Sequence, residues 1–145
     1  MDLTTHLSAG QRDHVERRLH RNLMAWLTTV RPDGQPETVP VWFYVQEDET
    51  VLLYSRPGAV KLRNIKVNPR VTLVLDVTDI GRDVIRVEGI AQVADNHPAA
   101  TAVPGYLAKY LERMSALLGS PERFAEDFSV AIVIVPAKLR ADVPG

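Results

Sequence analysis

The residues best suited to chemistry lie around a Pro57-Gly58 turn, with Ser55 and Arg56 before it and Lys61 after it. The apolar run before this turn predicts a β-strand, and the residues after it have the spacing of a short helix. A helix N-terminus presents unpaired N–H groups and the positive end of a dipole, so it favours an anion. We expect Ser55 to cap this helix and the two cations to converge on one anionic group. The pattern therefore predicts a phosphate site, and an ordinary capped surface helix with solvated charges is the alternative.

Composition limits the classes of protein to which the chain can belong. Its 145 residues are 46% hydrophobic, carry a formal net charge of -1 and include no cysteine. This predicts one domain over residues 1–145 with a sizeable core, without a disulfide framework or a thiolate nucleophile. The charge gives no overall field toward nucleic acid or an anionic membrane, and no apolar run has the length of a membrane span. We expect a soluble, cytoplasmic protein that binds neither.

The order of periodic segments predicts a mainly β, α+β domain, in which a six-stranded antiparallel barrel is flanked by helices. Turn signals between the early strands are close enough for hairpins, which argues against a parallel sheet. The predicted strands span residues 23–30, 37–46, 50–54, 70–77, 83–94 and 129–135. The predicted helices span residues 8–21, the segment after Pro57-Gly58, residues 98–118 with a break at Pro104-Gly105, and a short segment that begins at Ser120.

The second predicted strand has bulky apolar groups on both faces, so both faces should be covered by a helix, a ligand or another subunit. Pro40 lacks the N–H that a central strand would donate, which places this strand at a sheet edge or at a bulge. Its free backbone groups suit a flat ligand, or the proline protects an exposed edge. Gly89 predicts a second irregularity, in the fifth strand. The two faces of the second strand are Val39, Val41, Phe43 and Val45, and Thr38, Pro40, Trp42 and Tyr44.

Several kinds of catalytic site lack their usual signatures. The four histidines, His6, His14, His20 and His97, have no metal-binding spacing, so no metal site is predicted. Neither a nucleophile elbow, a dinucleotide fingerprint nor a nucleoside-triphosphate loop is present. A bound cofactor that carries the reaction is the remaining route to catalysis.

Several motifs occur in order along the chain: Leu27-Thr28-Thr29, Asp33-Gly34-Gln35-Pro36, Pro40-Val41-Trp42-Phe43, Tyr54-Ser55-Arg56, Lys61 with Asn64, Asn68-Pro69-Arg70-Val71 and Val87-Glu88-Gly89-Ile90-Ala91. This ordered set resembles the flavin- and deazaflavin-binding split β-barrel superfamily that includes pyridoxamine phosphate oxidase, and most closely its actinobacterial branch that uses coenzyme F420. The resemblance implies a homodimer with cofactor sites at the interface. It also implies that the backbone of Val39, Pro40, Val41 and Trp42 lies along the cofactor ring, and that Tyr54, Ser55, Arg56, Lys61 and, less directly, Asn64 hold the phosphate.

By this resemblance the chain is expected to transfer a hydride from reduced F420 to a small conjugated substrate, with Tyr44 or Tyr54 as a candidate proton donor. The alternatives are an FMN-dependent reductase or oxidase on the same fold, and a non-catalytic carrier of a flavin, a deazaflavin or a haem-like molecule. Two departures from the superfamily pattern matter. Val60 stands where flavin-binding members usually have arginine, and the segment around Lys138 lacks the residues that hold pyridoxal phosphate, so a vitamin B6 substrate is not expected.

Overall fold

Seven β-strands form one curled antiparallel sheet in this computed structural model, which describes residues 3–77 and 79–143. The strand order is β2-β1-β5-β6-β7-β4-β3, so β2 and β3 form the two edges. The strands are β1 (Ala25–Val30), β2 (Pro36–Val41), β3 (Tyr44–Val45), β4 (Val51–Ser55), β5 (Arg70–Leu75), β6 (Val84–Ala94) and β7 (Val130–Asp142). The helices are α1 (Ala9–Arg21), α2 (Val60–Val67), α3 (Pro104–Leu118) and α4 (Pro121–Asp127).

The predicted fold class is confirmed, and two strand assignments need correction. The second predicted strand is divided at Trp42 and Phe43, so β2 pairs with β1 while β3 pairs with β4, and the sheet has seven strands instead of six. The last strand continues through Pro136 to Asp142, and Lys138 therefore pairs with Glu88 on β6 instead of lying in a tail. Pro136 stands at a shift of register, where a missing N–H is tolerated.

Residues 41–45 divide their side chains between two hydrophobic clusters, as their alternation predicts. Val41 and Phe43 belong to the cluster inside the curled sheet, which we call the interior core. Trp42 and Tyr44 pack against a second cluster, rich in aromatic rings, that lies between the sheet and helices α3 and α4. Every residue of β4 is buried, because one face of this strand meets each cluster. Helices of the same chain therefore cover the outer face here.

Gly89 marks the bulge that the sequence predicts. The register between β6 and β7 shifts between Glu88 and Gly89, which leaves Ala137 without an opposite residue. A Cβ on Gly89 would lie 2.6 Å from the carbonyl oxygen of Val135. Because real Cβ atoms do not approach backbone this closely, the bulge depends on glycine.

Helices α1 and α3 begin in different ways. Ser8 caps α1 through a reciprocal capping box with Gln11, as the sequence indicates. Helix α3 begins at Pro104, later than predicted, after a short 3-10 turn at Ala100–Ala102. Within residues 3–77 and 79–143, no helix has both the length and the hydropathy needed to span a membrane.

The second position of α3 is occupied by Gly105, and the ring of Tyr44 lies directly against it. A Cβ added to Gly105 would overlap the hydroxyl oxygen, Cζ and Cε1 of Tyr44. Gly10 occupies the same position in α1 and has open space around it, with no heavy atom within 4 Å of where a Cβ would lie. The two glycines therefore form a matched pair.

We predict that Gly105→Ala lowers the free energy of unfolding by about 1–3 kcal/mol, since it forces Tyr44 away from α3. Gly10→Ala should raise it by about 0.5–1 kcal/mol, since alanine favours the helix without a clash. Urea unfolding followed by circular dichroism measures both values. Tyr44→Leu in the Gly105→Ala background should recover part of the loss, and a neutral or stabilising Gly105→Ala would contradict the contact.

Candidate cofactor site

The break between β2 and β3 is held by two side chains from α3. The backbone N–H of Phe43 donates to the hydroxyl of Tyr110 at 2.8 Å, and the Lys109 ammonium donates to the carbonyl of Phe43 at 2.7 Å. The Tyr110 oxygen also lies 2.8 Å from the carbonyl of Leu23. The Tyr110 hydroxyl has one proton to donate, and the Phe43 carbonyl already accepts a hydrogen bond from Lys109. Donation from Tyr110 to the Leu23 carbonyl therefore gives each of these groups a partner. Helix α3 therefore supplies the hydrogen bonds that the sheet does not.

Lys109 makes these contacts from an apolar position. Its Nζ lies 3.9 Å from the centroid of the Phe43 ring and 5.3 Å from that of Tyr110. Burial lowers the pKa of Lys109 to about 7, since the ammonium has given up most of its water. The strand break thus rests on a cation that titrates near neutral pH.

A cavity of about 340 Å³ opens beside this break. Its size is near the lower end of the range of roughly 300–1,000 Å³ for small-molecule sites. The end of β2, the end of β4 and the start of α2 form one side, and helices α3 and α4 form the other. The lining residues are Met24, Pro40, Val41, Trp42, Tyr54, Arg56, Lys61, Tyr106, Leu117, Leu118, Phe124 and Phe128.

Arg56 and Lys61 give the cavity a cationic end. The Arg56 guanidinium lies 4.6 Å from the centroid of the Phe128 ring, which restrains a side chain that is otherwise exposed. Lys61 is partly buried in the first turn of α2, and this burial lowers its pKa. An anion between the two would complement both charges and the N–H groups of that turn.

The predicted cap of α2 is wrong. The helix begins after Ala59 without any side-chain cap. Ser55 is the last residue of β4, wholly buried, and its hydroxyl donates to the carbonyl of Arg56 at 2.9 Å. The Ser55 hydroxyl therefore stabilises the exit from the strand, and the helix keeps its N-terminal N–H groups unoccupied by a capping side chain.

Aromatic rings connect the strand break to the cationic end in a series of stacked contacts. Trp42 stacks on Tyr110 with ring centroids 4.7 Å apart, and on Phe124 at 5.2 Å. Phe124 stacks on Phe128 at 4.6 Å, and Arg56 lies over Phe128. Trp42 is thereby engaged by protein rings, and its ring orientation is fixed next to the cavity.

The structure brings most of the predicted site residues together at this cavity. Six of the nine line it: Pro40, Val41, Trp42, Tyr54, Arg56 and Lys61. Val39 instead packs against the interior core. Asn64 is buried, and its amide nitrogen donates to Thr29 at 3.0 Å and to Glu37 at 3.1 Å, so that it joins α2 to the β1–β2 hairpin. Ser55 bonds the backbone and does not line the cavity.

Of the two tyrosines considered as proton donors, Tyr54 lines the cavity and Tyr44 does not. The Tyr54 hydroxyl donates to the carbonyl of Pro98 at 2.7 Å, and burial raises its pKa to about 12. Tyr54 therefore keeps its proton at neutral pH and is a weak acid. Among residues 3–77 and 79–143, no cluster of His, Asp or Glu is arranged to hold a metal ion.

The α3–α4 wall of the cavity was not among the predicted site residues. Tyr106, Leu117, Phe124 and Phe128 occur at helical spacing, and the sequence predicts that such residues are simply buried. Their composition gave a weak signal, because three of the nine aromatic residues lie in α3 and α4. Which side of the sheet these helices cover depends on tertiary packing, and the spacing of apolar residues along the sequence does not reveal it.

Comparison with known proteins bears on this geometry. The profile of the family described as pyridoxamine 5'-phosphate oxidase matches residues 11–140. The chain belongs to this family. Its members bind flavin-type cofactors. As a pyridoxamine 5'-phosphate oxidase family member, the chain has the split β-barrel fold that the sequence predicts. No curated protein sequence matches the chain significantly.

Solved structures support the same fold. An F420 reductase is 32% identical to this family member, with 86% of this chain and 94% of that chain covered and a TM-score of 0.66. General Stress Protein 26 from Bacillus anthracis str. Sterne is 22% identical over 90% of this chain and 92% of that chain, with a TM-score of 0.67. HutZ, the heme storage protein from Vibrio cholerae, is 17% identical over 89% and 92%, with a TM-score of 0.67. The last two likenesses show the fold alone.

We predict that Lys109 makes stability depend on pH above neutrality. Its pKa is about 7 in the folded protein and near 10.5 when unfolded. The unfolded chain therefore binds more protons between these values, and stability rises as pH increases through this window. Relative to wild type, Lys109→Met should lose this increase when thermal unfolding is followed from pH 6 to pH 9.5. The exposed Lys66→Met is the control, and equal pH profiles for wild type and Lys109→Met would contradict the prediction.

Proposed function

We propose that the chain is an F420-dependent oxidoreductase that reduces a small conjugated organic substrate, with the cofactor held in the cavity between β2, α2 and the α3–α4 wall. The observation that carries this proposal is the meeting of Arg56 and Lys61 with the proline-containing edge strand at one cavity. The 32% identity to an F420 reductase over most of both chains supports the choice of cofactor.

The cationic end suits the phosphate of the cofactor. Arg56 offers a planar fork of donors, Lys61 offers a point charge, and the first turn of α2 offers backbone N–H groups. Both residues line the same cavity, and Phe128 restrains the guanidinium. Binding therefore requires little ordering of the donors.

The ring of the cofactor fits along the end of β2. This strand is at the sheet edge, so the backbone groups on its outer side have no strand partner in the described part of the chain. Pro40 and Val41 line the cavity, and Trp42 is fixed there by stacking. A flat ring with its own donors and acceptors would complement this edge.

When bound, reduced F420 supplies a hydride. The contribution of the chain is to hold the ring and the substrate in contact against the apolar side chains of Leu118 and Phe124. Tyr54 keeps its proton, so we assign the proton that completes the reduction to solvent. Positioning is therefore the main source of catalysis in this proposal.

FMN is the alternative cofactor, because its phosphate and flat ring make the same demands on the cavity. Val60 replaces the arginine of typical flavin-binding members, which lowers the positive charge next to Lys61. That difference favours F420.

A carrier that binds the cofactor without turnover is the second candidate, and it is favoured by the absence of carboxylates and imidazoles from the described cavity lining.

We also propose a homodimer, in which a second copy covers the outer face of β1, β5, β6 and β7. Trp26, Ile90 and Val135 are exposed there by 40%, 45% and 57%. Trp26 pairs with Pro40, which lines the cavity, so this face continues to the rim of the site. A second copy on this face would extend the walls of a cavity that is small for a whole cofactor.

The cofactor proposal predicts that Arg56→Ala with Lys61→Ala weakens F420 binding at least about a hundredfold, since two charge-assisted contacts are lost. Fluorescence titration of the purified protein with F420 and with FMN measures the affinities. Arg63→Ala with Lys66→Ala is the matched control, because both residues are exposed on the same helix and lie outside the cavity. Unchanged affinity in the first double variant would remove the phosphate site, and tighter binding of FMN would reverse the choice of cofactor.

The dimer proposal predicts that Ile90→Lys shifts the protein toward monomer in analytical ultracentrifugation. Ile90 lies opposite Val135 on the proposed interface, so dimerisation of the variant would bury an unpaired charge. Ile80→Lys is the control, since Ile80 is 95% exposed on the turn at Asp79–Gly81. A monomeric wild type, or a dimer that Ile90→Lys leaves intact, would contradict this interface.

A further inference from the structure

Tyr106 lies in the wall of the cavity, is wholly buried, and has a hydroxyl without a hydrogen-bond partner among the residues that the structure describes. Two neighbouring tyrosines differ from it. The Tyr54 hydroxyl donates to the carbonyl of Pro98, and the Tyr110 hydroxyl accepts from the backbone N–H of Phe43. A buried hydroxyl that has lost its water and gained no partner is costly, and such a group calls for an explanation.

The Tyr106 ring has little freedom to find a partner elsewhere. It contacts Tyr54 edge-on with centroids 4.9 Å apart, Tyr110 at 5.0 Å and Phe124 at 6.2 Å. These rings come from β4, α3 and α4, so the position is enclosed from several elements. Packing therefore holds the ring in one orientation.

The protonation state of Tyr106 limits what it can do. Burial is the main reason that the pKa of Tyr106 lies well above its ordinary value, and the neighbouring tyrosines raise the pKa further. The hydroxyl is therefore a neutral group with a proton to donate. Its complement is an uncharged acceptor, since an anion would be drawn to Arg56 and Lys61 at the cationic end.

We propose that the Tyr106 hydroxyl donates a hydrogen bond to a carbonyl oxygen of the flat conjugated ligand that occupies this cavity. This inference rests on the proposed function, because it takes the cavity to be the ligand site. The hydroxyl lies below the accessible surface of the wall, so neighbouring side chains must move for the contact to form. Tyr106 is thus a recognition residue, which distinguishes a carbonyl-bearing ligand from an apolar one of the same shape.

Phenylalanine would fill the same space without the cost, which makes Tyr106→Phe a direct test. The variant should unfold at the same temperature as wild type or higher, because it removes a hydroxyl that has no partner. Tyr110→Phe is the structural comparison and should unfold at a lower temperature, because it takes a hydrogen bond from Phe43 and Leu23. A purely structural Tyr106 would show no accompanying change in ligand binding.

Binding is measured by calorimetry in two arms. In the first, oxidised F420 and FMN are titrated into wild type and Tyr106→Phe. In the second, 2-methyl-1,4-naphthoquinone and its carbonyl-free counterpart 2-methylnaphthalene are titrated into each protein, with and without cofactor. We expect about a tenfold loss of affinity for a carbonyl ligand and none for 2-methylnaphthalene.

The two arms show whether the carbonyl acceptor belongs to the cofactor or to the substrate. They also distinguish a failure of the Tyr106 proposal from a failure of the proposed function. A loss for the cofactor identifies its ring carbonyl as the acceptor, and a loss for the quinone identifies the substrate. Equal losses for the quinone and 2-methylnaphthalene, or unchanged affinity for every ligand, would overturn the assignment of Tyr106. If wild type binds neither F420 nor FMN, the proposed function fails, while the quinone arm still tests Tyr106.

A second measurement does not depend on the variant. In wild-type protein labelled with 13Cζ-tyrosine, the Tyr106 resonance should shift on saturation with the carbonyl ligand, because Cζ responds to hydrogen bonding of the phenol. Saturation with 2-methylnaphthalene should produce a smaller shift. Equal shifts for the two ligands would contradict the proposal.

Discussion

The hydrogen bonds of Phe43 are the constraint on which the rest of the structure depends. A backbone N–H and C=O that leave a sheet inside a protein need other partners, and here Tyr110 and Lys109 supply them from α3. Because these partners exist, one extended segment can serve both edges of the sheet. The sheet therefore stays open between β2 and β3, and the cavity lies beside that opening.

The same helix that satisfies the break also sets the shape of the site. Tyr110 stacks on Trp42, and the stacked contacts continue through Phe124 and Phe128 to Arg56. A cation at one end of the cavity is thus mechanically linked to the break at the other by close-packed rings. Packing of this kind transmits small displacements, since protein interiors have little free volume. The orientation of Arg56 therefore depends on the α3–α4 wall as much as on β4, which it follows.

Local patterns predicted much of this arrangement. The alternation of residues 38–45 predicted that Val41 and Trp42 lie on opposite faces, because alternation depends only on neighbours in the sequence. Gly89 predicted the bulge, because the bulge depends on one backbone position. The division of the second strand was missed, since Phe43 has its partner 67 positions away in Tyr110. Ser55 was misassigned as a helix cap. The sequence shows that a hydroxyl precedes a turn, but it does not show that the nearest acceptor for this hydroxyl is a carbonyl of the same turn.

The separation of the two hydrophobic clusters has an evolutionary consequence. Among the cavity-lining residues, Val41 belongs to the interior core, while the wall opposite β2 and α2 comes from the helical cover. Substitutions at Leu117 and Leu118 of that cover can reshape the cavity while Tyr110 and Lys109 keep their hydrogen bonds to the strand break. Changes confined to such partly exposed lining positions would alter which ligand fits at little cost to folding.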